Sequence, residues 1–360
     1  MTVLLLLAGL ASAQELLAHD FLLADQLPPA PPDAAAAWGV VDLDELVIVR
    51  PPTGAFQEGF DYTAFRDAII AAVSDRETVY DVAMLVHSEA LPTQYPGAAA
   101  FHLAFNNADT SGIGRTAVAT PEIPVRSGVW FNHVNYWDTW PEGIESWVFC
   151  HELGHQWLSF ARFDDGIVKS QELLGRQRAH WSYFVDTPNS PMEGNAWVDN
   201  KDGTFTTDLS TPSAFSALDL YLMGLLPPED VPPFFYIDAP DTAERGRETS
   251  PEHVYNDEPV TVSGSRVDVT IDDIIAANGQ RSPAYGEAPT EQKILYVLVV
   301  SPNELLTEET VGRALERVDG WVDAWDTCTS GLGSMFIGVV DEGRAPPDAS
   351  APALIPGGAW

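Results

Sequence analysis

The chain is short of positive charge: 18 Lys and Arg stand against 53 Asp and Glu in 360 residues, a formal net charge of −35. Such a surface repels phosphate backbones and anionic lipid, so nucleic-acid binding and docking on a membrane surface are excluded as expected functions. It suits a solvated exterior in salty or extracellular surroundings, with clustered Asp side chains as a weaker option for holding calcium. Cysteine is nearly missing, with only Cys150 and Cys328. Two cysteines exclude a densely crosslinked scaffold, and their spacing offers no zinc knuckle. They either pair with each other or remain plain buried thiols. No apolar run after the first residues is long enough to span a bilayer, so membrane insertion is not expected. Aromatics are plentiful, with 11 Trp, which excludes a disordered chain over most of the length.

What is present at the start is a short apolar run. Residues 1–13, MTVLLLLAGLASA, close on Ala11-Ser12-Ala13 and read as a secretory signal with an A-x-A cleavage site. No Cys follows that site, which argues against a lipid anchor. Residues 14–37 are rich in Ala and Pro and read as a spacer, and residues 342–360 as a disordered tail. One folded domain over 38–341 remains, in an exported protein expected to be a monomer.

Within it, residues 147–158 read WVFCHELGHQWL, with His151, Glu152 and His155 in an H-E-x-x-H pattern. On a helix, residues four apart share one face, so both imidazoles can reach a single metal ion. Zinc takes neutral imidazole nitrogens and keeps a position for water in catalytic sites. Glu152, beside the first ligand, can then take the proton of an attacking water. The bland alternative is an amphipathic helix that happens to carry these residues. Context weighs against it: Phe149, Cys150, Leu153 and Trp157 form a buried helical stripe beside the histidines. Thr139 and Glu142 read as a T-x-x-E capping box that starts the helix near Trp140. Gly154 costs about 1 kcal/mol of helix propensity, which makes sense if something passes close to the helix there.

Around this motif the pattern predicts an α+β domain. Strands are expected at 46–49, 79–87, 112–120 and 128–134, the last two as an antiparallel pair, and a helix at 65–73. Residues 161–177 and 189–205 read as loop, with a β-turn preferred over a calcium loop at Asp199–Asp202–Gly203. Helices are expected at 218–226, stopped by Pro227-Pro228, and at 307–325. A strand then helix is expected over 267–277, and a buried strand at 294–300. The part after the H-E-x-x-H helix is therefore expected to be mainly helical and loop-rich.

A catalytic zinc needs a third protein ligand, and Leu158 and Ala161 stand where a metzincin would place its Gly and third His. Four candidates remain: His180 first, Asp219 second, Glu172 third, and Asp165, close enough in sequence to fold back. Each could equally be a surface charge or a polar residue at the edge of the core. Tyr221 is the first choice for stabilising an oxyanion, with Tyr183 and His253 as alternatives.

The blocks HELGHQWL, HWS, SALDLYLMGLLPPEDVPPF, VTIDDIIAANG and TCTSGLGS, spread over residues 100–335, resemble a group of secreted bacterial proteins of uncharacterised activity classed with zincin-type (HExxH) zinc metallopeptidases. The resemblance implies a zincin-like fold, a mixed sheet over the active-site helix, with His151 and His155 as zinc ligands and Glu152 as base. By analogy with metzincins, Met223 would lie beneath the zinc, or else be a plain core residue. The expected function is a secreted zinc endopeptidase acting on protein or peptide. Two alternatives stand beside it: a zinc-stabilised extracellular binding or adhesion module without turnover, and a zinc amidase acting on cell-wall material.

Overall fold

The computed structural model describes residues 38–43, 46–52, 54–56, 61–73, 80–91, 99–120, 123–256, 258–301 and 307–338. The expected signal at 1–13, spacer at 14–37 and tail at 342–360 lie outside these residues. The first half runs β1 (Gly39–Asp42), β2 (Val47–Arg50), α1 (Tyr62–Val73), β3 (Val82–His87), β4 (Phe101–Ala104), β5 (Ser127–His133) and α2 (Ile144–Gly154). Then come β6 (Phe163–Asp164), β7 (Lys169–Ser170), β8 (Trp181–Asp186), β9 (Glu193–Asn195), β10 (Trp197–Asp199), β11 (Thr204–Thr207) and α3 (Ala217–Met223). The chain continues through β12 (Phe234–Asp241), α4 (Glu252–Tyr255), β13 (Thr261–Val269), α5 (Ile271–Asn278), β14 (Glu291–Val299), α6 (Glu308–Cys328) and β15 (Ser334–Ile337).

The first sheet is ordered β1-β2-β14-β3-β5-β4, with β15 also on β14. Its inner strands β2, β14, β3 and β5 are parallel, while β1 and β4 close the two ends antiparallel. Parallel strands covered on both faces read as unbroken apolar runs, as VAMLVH in β3 does. Side chains alternate between the faces. Val47, Ala83, Leu85, Leu295 and Val297 meet Phe65, Ala68 and Ile69 of α1. Ile48, Met84, Val86, Tyr296 and Leu298 turn the other way, toward α2 and α6. There Phe149 of α2 stacks on Trp321 of α6 with ring centroids 5.4 Å apart. Cys150 and Cys328 are joined in a disulfide, which decides between the two readings of the cysteines.

The second sheet is ordered β10-β11-β13-β12-β8-β9. It corrects the expectation of a mainly helical, loop-rich part after the H-E-x-x-H helix. Strands β9, β10 and β11 are only three or four residues long and are cut by polar turns, so no period shows there, and of the two longer strands β12 and β13 only the end of β13 was expected, as the strand ahead of α5. Two further expectations are corrected. Residues 112–120 form bends and irregular chain with a single bridge from Ala119 to Asn106 rather than a strand, and the antiparallel partner of β5 is β4. Helix α2 begins at Ile144 behind Gly143, which has φ 86° and provides no side-chain cap, so Thr139 and Glu142 form no capping box. Helix α3 is ended by Gly224 at φ 87°, ahead of the prolines. The Asp199–Gly203 segment is the turn between β10 and β11, with Asp199 and Asp202 accepting backbone N–H groups from Lys201 and Thr204. Among the described residues no helix is long and apolar enough to cross a membrane.

Candidate metal centre

Helix α2 brings the first half of the site, and its C-terminal end is held from outside. Arg115 donates through Nη1 to the carbonyls of His155, at 2.5 Å, and Gln156, at 3.0 Å. Those oxygens lie at a helix end with no intrahelical donor of their own, and a guanidinium satisfies them while complementing the helix dipole. His155 is the C-cap residue with φ −57°, so it keeps helical position four residues after His151 although α2 ends at Gly154. The two Nε2 atoms are 3.2 Å apart.

The second half comes from the loop before β8. His180 follows a turn in which Gly175 donates its N–H to the His180 carbonyl, and His180 Nδ1 donates to the Arg176 carbonyl at 2.8 Å. Its Nε2 lies 3.2 Å from His151 Nε2. His151 Nδ1 donates to the Pro191 carbonyl at 2.7 Å. A carbonyl only accepts, so both rings carry their proton on Nδ1 and present a lone pair at Nε2. All three Nε2 donors lie within 4.8 Å of one another, and all three side chains are buried. Tetrahedral zinc with bonds of about 2.0–2.1 Å needs its nitrogens about 3.3–3.4 Å apart. The three histidines therefore suit a metal ion, and two lone pairs held this close in a buried place repel unless a cation lies between them. Burial also holds His151 neutral, lowering its pKa to about 3, with the nearby Arg176 charge acting in the same direction.

Glu152 is fully buried, and burial lifts its carboxyl well above the ordinary range, opposed by the charge of Arg176. Asp219 is buried too, but as an anchor. It accepts from Trp181 Nε1 and Ser190 Oγ, both at 2.7 Å, and closes a capping box with Ser216 at the start of α3. It thereby ties the strand after His180 to the turn that carries Pro191. Glu172 forms an exposed ion pair with Arg247, and Asp165 accepts from Ile167 and Val168 in an exposed turn. Of the four candidates for third ligand, the structure brings His180 alone into the cluster.

Two of the expected oxyanion residues are engaged elsewhere. The Tyr221 hydroxyl accepts from the Arg281 N–H at 3.1 Å, and Tyr183 donates to Glu252 at 2.7 Å. His253 sits in the short helix α4. Met223 is a core residue whose carbonyl accepts from Arg281, whereas Met192 is the methionine against the metal helix: its sulfur fills the space that a Cβ on Gly154 would need. Sequence reasoning missed Arg176, Glu193 and His102. Arg176 Nη2 lies 3.0 Å from His180 Nε2 and 2.5 Å from Glu193 Oε1. His102, on β4, faces the His155 ring at 6.2 Å between centroids. No motif marks these residues, because their neighbours are set by the turns and by β4.

Comparison with protein-family models, with curated proteins and with solved structures returns no match.

Proposed function

We propose that the chain is a secreted zinc-dependent endopeptidase of the zincin type. The observation that carries this reading is the convergence of three Nε2 atoms from His151, His155 and His180 with Glu152 next to the first ligand. The all-imidazole donor set suits zinc, as it does the other late first-row ions, whereas carboxylate-seeking magnesium or calcium would find no oxygen ligand among the three. The Pro191 and Arg176 carbonyls fix ring orientation as second partners of metal-binding histidines usually do. The mixed sheet ends in antiparallel β4, whose His102 faces His155 at the end of α2, an arrangement that suits a zincin.

Bound zinc would supply Lewis acidity, polarising a carbonyl and bringing the pKa of water down to about 7. Glu152 takes the proton from the attacking water and delivers it to the leaving amine. Its burial raises the proton affinity of the carboxylate, which strengthens it as the base that takes this proton.

One observation favours the binding-module reading: His151, Glu152 and His180 are each 0% exposed, so the centre is closed to a bulky substrate in this conformation. The deciding experiment is cleavage of an unbiased peptide mixture by zinc-loaded wild type beside Glu152→Ala, with peptidoglycan as a parallel substrate. Cleavage of peptides by wild type alone is the expected result, a loss of at least 10²–10⁴-fold marking Glu152 as the base. Peptidoglycan cleavage alone would replace the reading with the amidase. Inactivity on both, with zinc bound, would leave the binding module.

A further inference from the structure

A cation stands beside the metal donors. Arg176 Nη2 is 3.0 Å from His180 Nε2, so it contacts the lone pair that a metal would take. Its partner Glu193 is fully buried, 2.5 Å away, with Glu193 Oε1 3.8 Å from His180 Nε2. Glu193 holds φ at 76°, a left-handed conformation that a non-glycine residue adopts only under strain. Such strain persists only where surroundings over-determine it, and here it delivers a carboxylate to the guanidinium. Arg176 Nε and Nη1 are buried and meet no hydrogen-bond partner among the described residues. Buried N–H groups left unspent are costly, which marks a place where an incoming acceptor is gained. The charge of Arg176 is also felt at both His151 and Glu152.

Resting on the endopeptidase reading, we propose that Arg176 is a catalytic residue that donates to the carbonyl oxygen of the scissile peptide bond as that oxygen gains negative charge, and that Glu193 is its positioning residue. A metal taking the His180 lone pair leaves the Arg176 N–H that now points there without its acceptor, and an oxygen beside the metal donors replaces it. As the water oxygen bonds to the carbonyl carbon, the C=O electron pair moves onto oxygen and Arg176 donates to it. When the pair returns and the C–N bond breaks, the amine leaves with the proton carried by Glu152. A guanidinium fork is suited to this because it is planar, permanently charged and already oriented by Glu193.

The test uses zinc-loaded full chain as wild type, Arg176→Met and Arg176→Lys. It reads zinc content, kcat and KM on a cleaved peptide, and calorimetric affinity for a phosphinic peptide whose anionic oxygens mimic the charged carbonyl. Arg176→Met is expected to keep one zinc equivalent and its KM, while kcat and phosphinic-peptide affinity each fall by about 10²–10³-fold. Arg176→Lys should recover part of both. Because Arg176→Met leaves the Glu193 charge buried alone, Arg176→Met/Glu193→Gln repeats the measurement without that charge and is expected to show the same loss. Unchanged phosphinic-peptide affinity in either Met variant overturns the assignment, as does loss of zinc in both, which would make Arg176 a support of the metal centre. A wild type that neither cleaves peptides nor binds the phosphinic peptide removes the endopeptidase reading itself.

Discussion

His151 and His180 face each other through Nε2 at 3.2 Å while each spends its Nδ1 proton on a backbone carbonyl, of Pro191 and of Arg176. Neither ring can donate across that gap, so the pair is coherent only around a cation. His180→Ala is therefore expected to abolish stoichiometric zinc binding. The check is metal content together with the melting temperature: added zinc should raise Tm in wild type, as any ligand of the folded state does, and leave the variant unmoved. A variant that retains one full equivalent would remove His180 from the ligand set.

The disulfide ties α2, one residue before His151, to the last residue of α6 across 178 residues of sequence. Closing so long a loop constrains the unfolded chain, and such bonds contribute roughly 2–5 kcal/mol. Replacing both cysteines with alanine should lower the urea midpoint accordingly while leaving zinc content at pH 7 intact, because neither sulfur is among the donors. Loss of zinc at unchanged stability would mean that the bond shapes the metal helix rather than the unfolded chain.

Half of the candidate metal centre was legible in the sequence because its spacing is local. His151, Glu152 and His155 lie on one turn, and the helix geometry brings the pattern together without help from tertiary structure. His180 could only be ranked against Asp219, Glu172 and Asp165. What separates them is whether a carboxylate is already engaged, and Asp219 is, by Trp181, Ser190 and Ser216. Those partners come from three different segments. The first sheet was partly readable, since buried parallel strands such as β3 and β14 leave long apolar runs. Of the second sheet only the end of β13 ahead of α5 was readable, because strands of three or four residues such as β9 to β11 are too short for a period to show. Tyr221 shows the remaining difficulty: residue type suggested an oxyanion role, but a hydroxyl serves whatever donor the fold brings, here the Arg281 N–H.

His87 ends β3, fully buried beside the ring of Phe56, and burial lowers its pKa to about 3 from 6.5. The unfolded chain takes up this proton below pH 6.5, whereas the folded chain does not until about pH 3. Between those values the unfolded state binds more protons, so stability rises with pH and is lost as pH falls through the window. From pH 7 to pH 5 this one group should cost the fold about 2 kcal/mol. His253, lowered to about 4 by burial, acts in the same sense, while the raised carboxyls of Glu152, Glu193 and Asp219 act oppositely. Those groups are common to wild type and His87→Gln, so the comparison isolates His87. From pH 7 to pH 5 the urea midpoint should fall further in wild type than in His87→Gln; an equal drop in both would show that His87 does not titrate in this way.

Gly154 is where α2 meets the turn that carries Pro191. A Cβ at this position would run into the Met192 sulfur and lie 3.2 Å from the Phe215 ring. Alanine gains at most about 1 kcal/mol of helix propensity. Overpacking a closed core typically costs about 1–3 kcal/mol, and Met192 is fully buried. Gly154→Ala should therefore be destabilising on balance, by about 1–2 kcal/mol in urea unfolding. The larger consequence falls on the metal. Met192 directly follows Pro191, whose carbonyl orients the His151 ring, so pushing the sulfur aside disturbs that hydrogen bond. Loss of such a partner typically weakens metal binding by about 10–100-fold, and a competitive chelator titration would read it. Adding Met192→Ala to Gly154→Ala makes room for the new methyl group. The two changes should then be non-additive, with zinc affinity recovering in the double variant. Additive losses would mean that the glycine serves the helix end alone and that nothing passes from Met192 to the histidines.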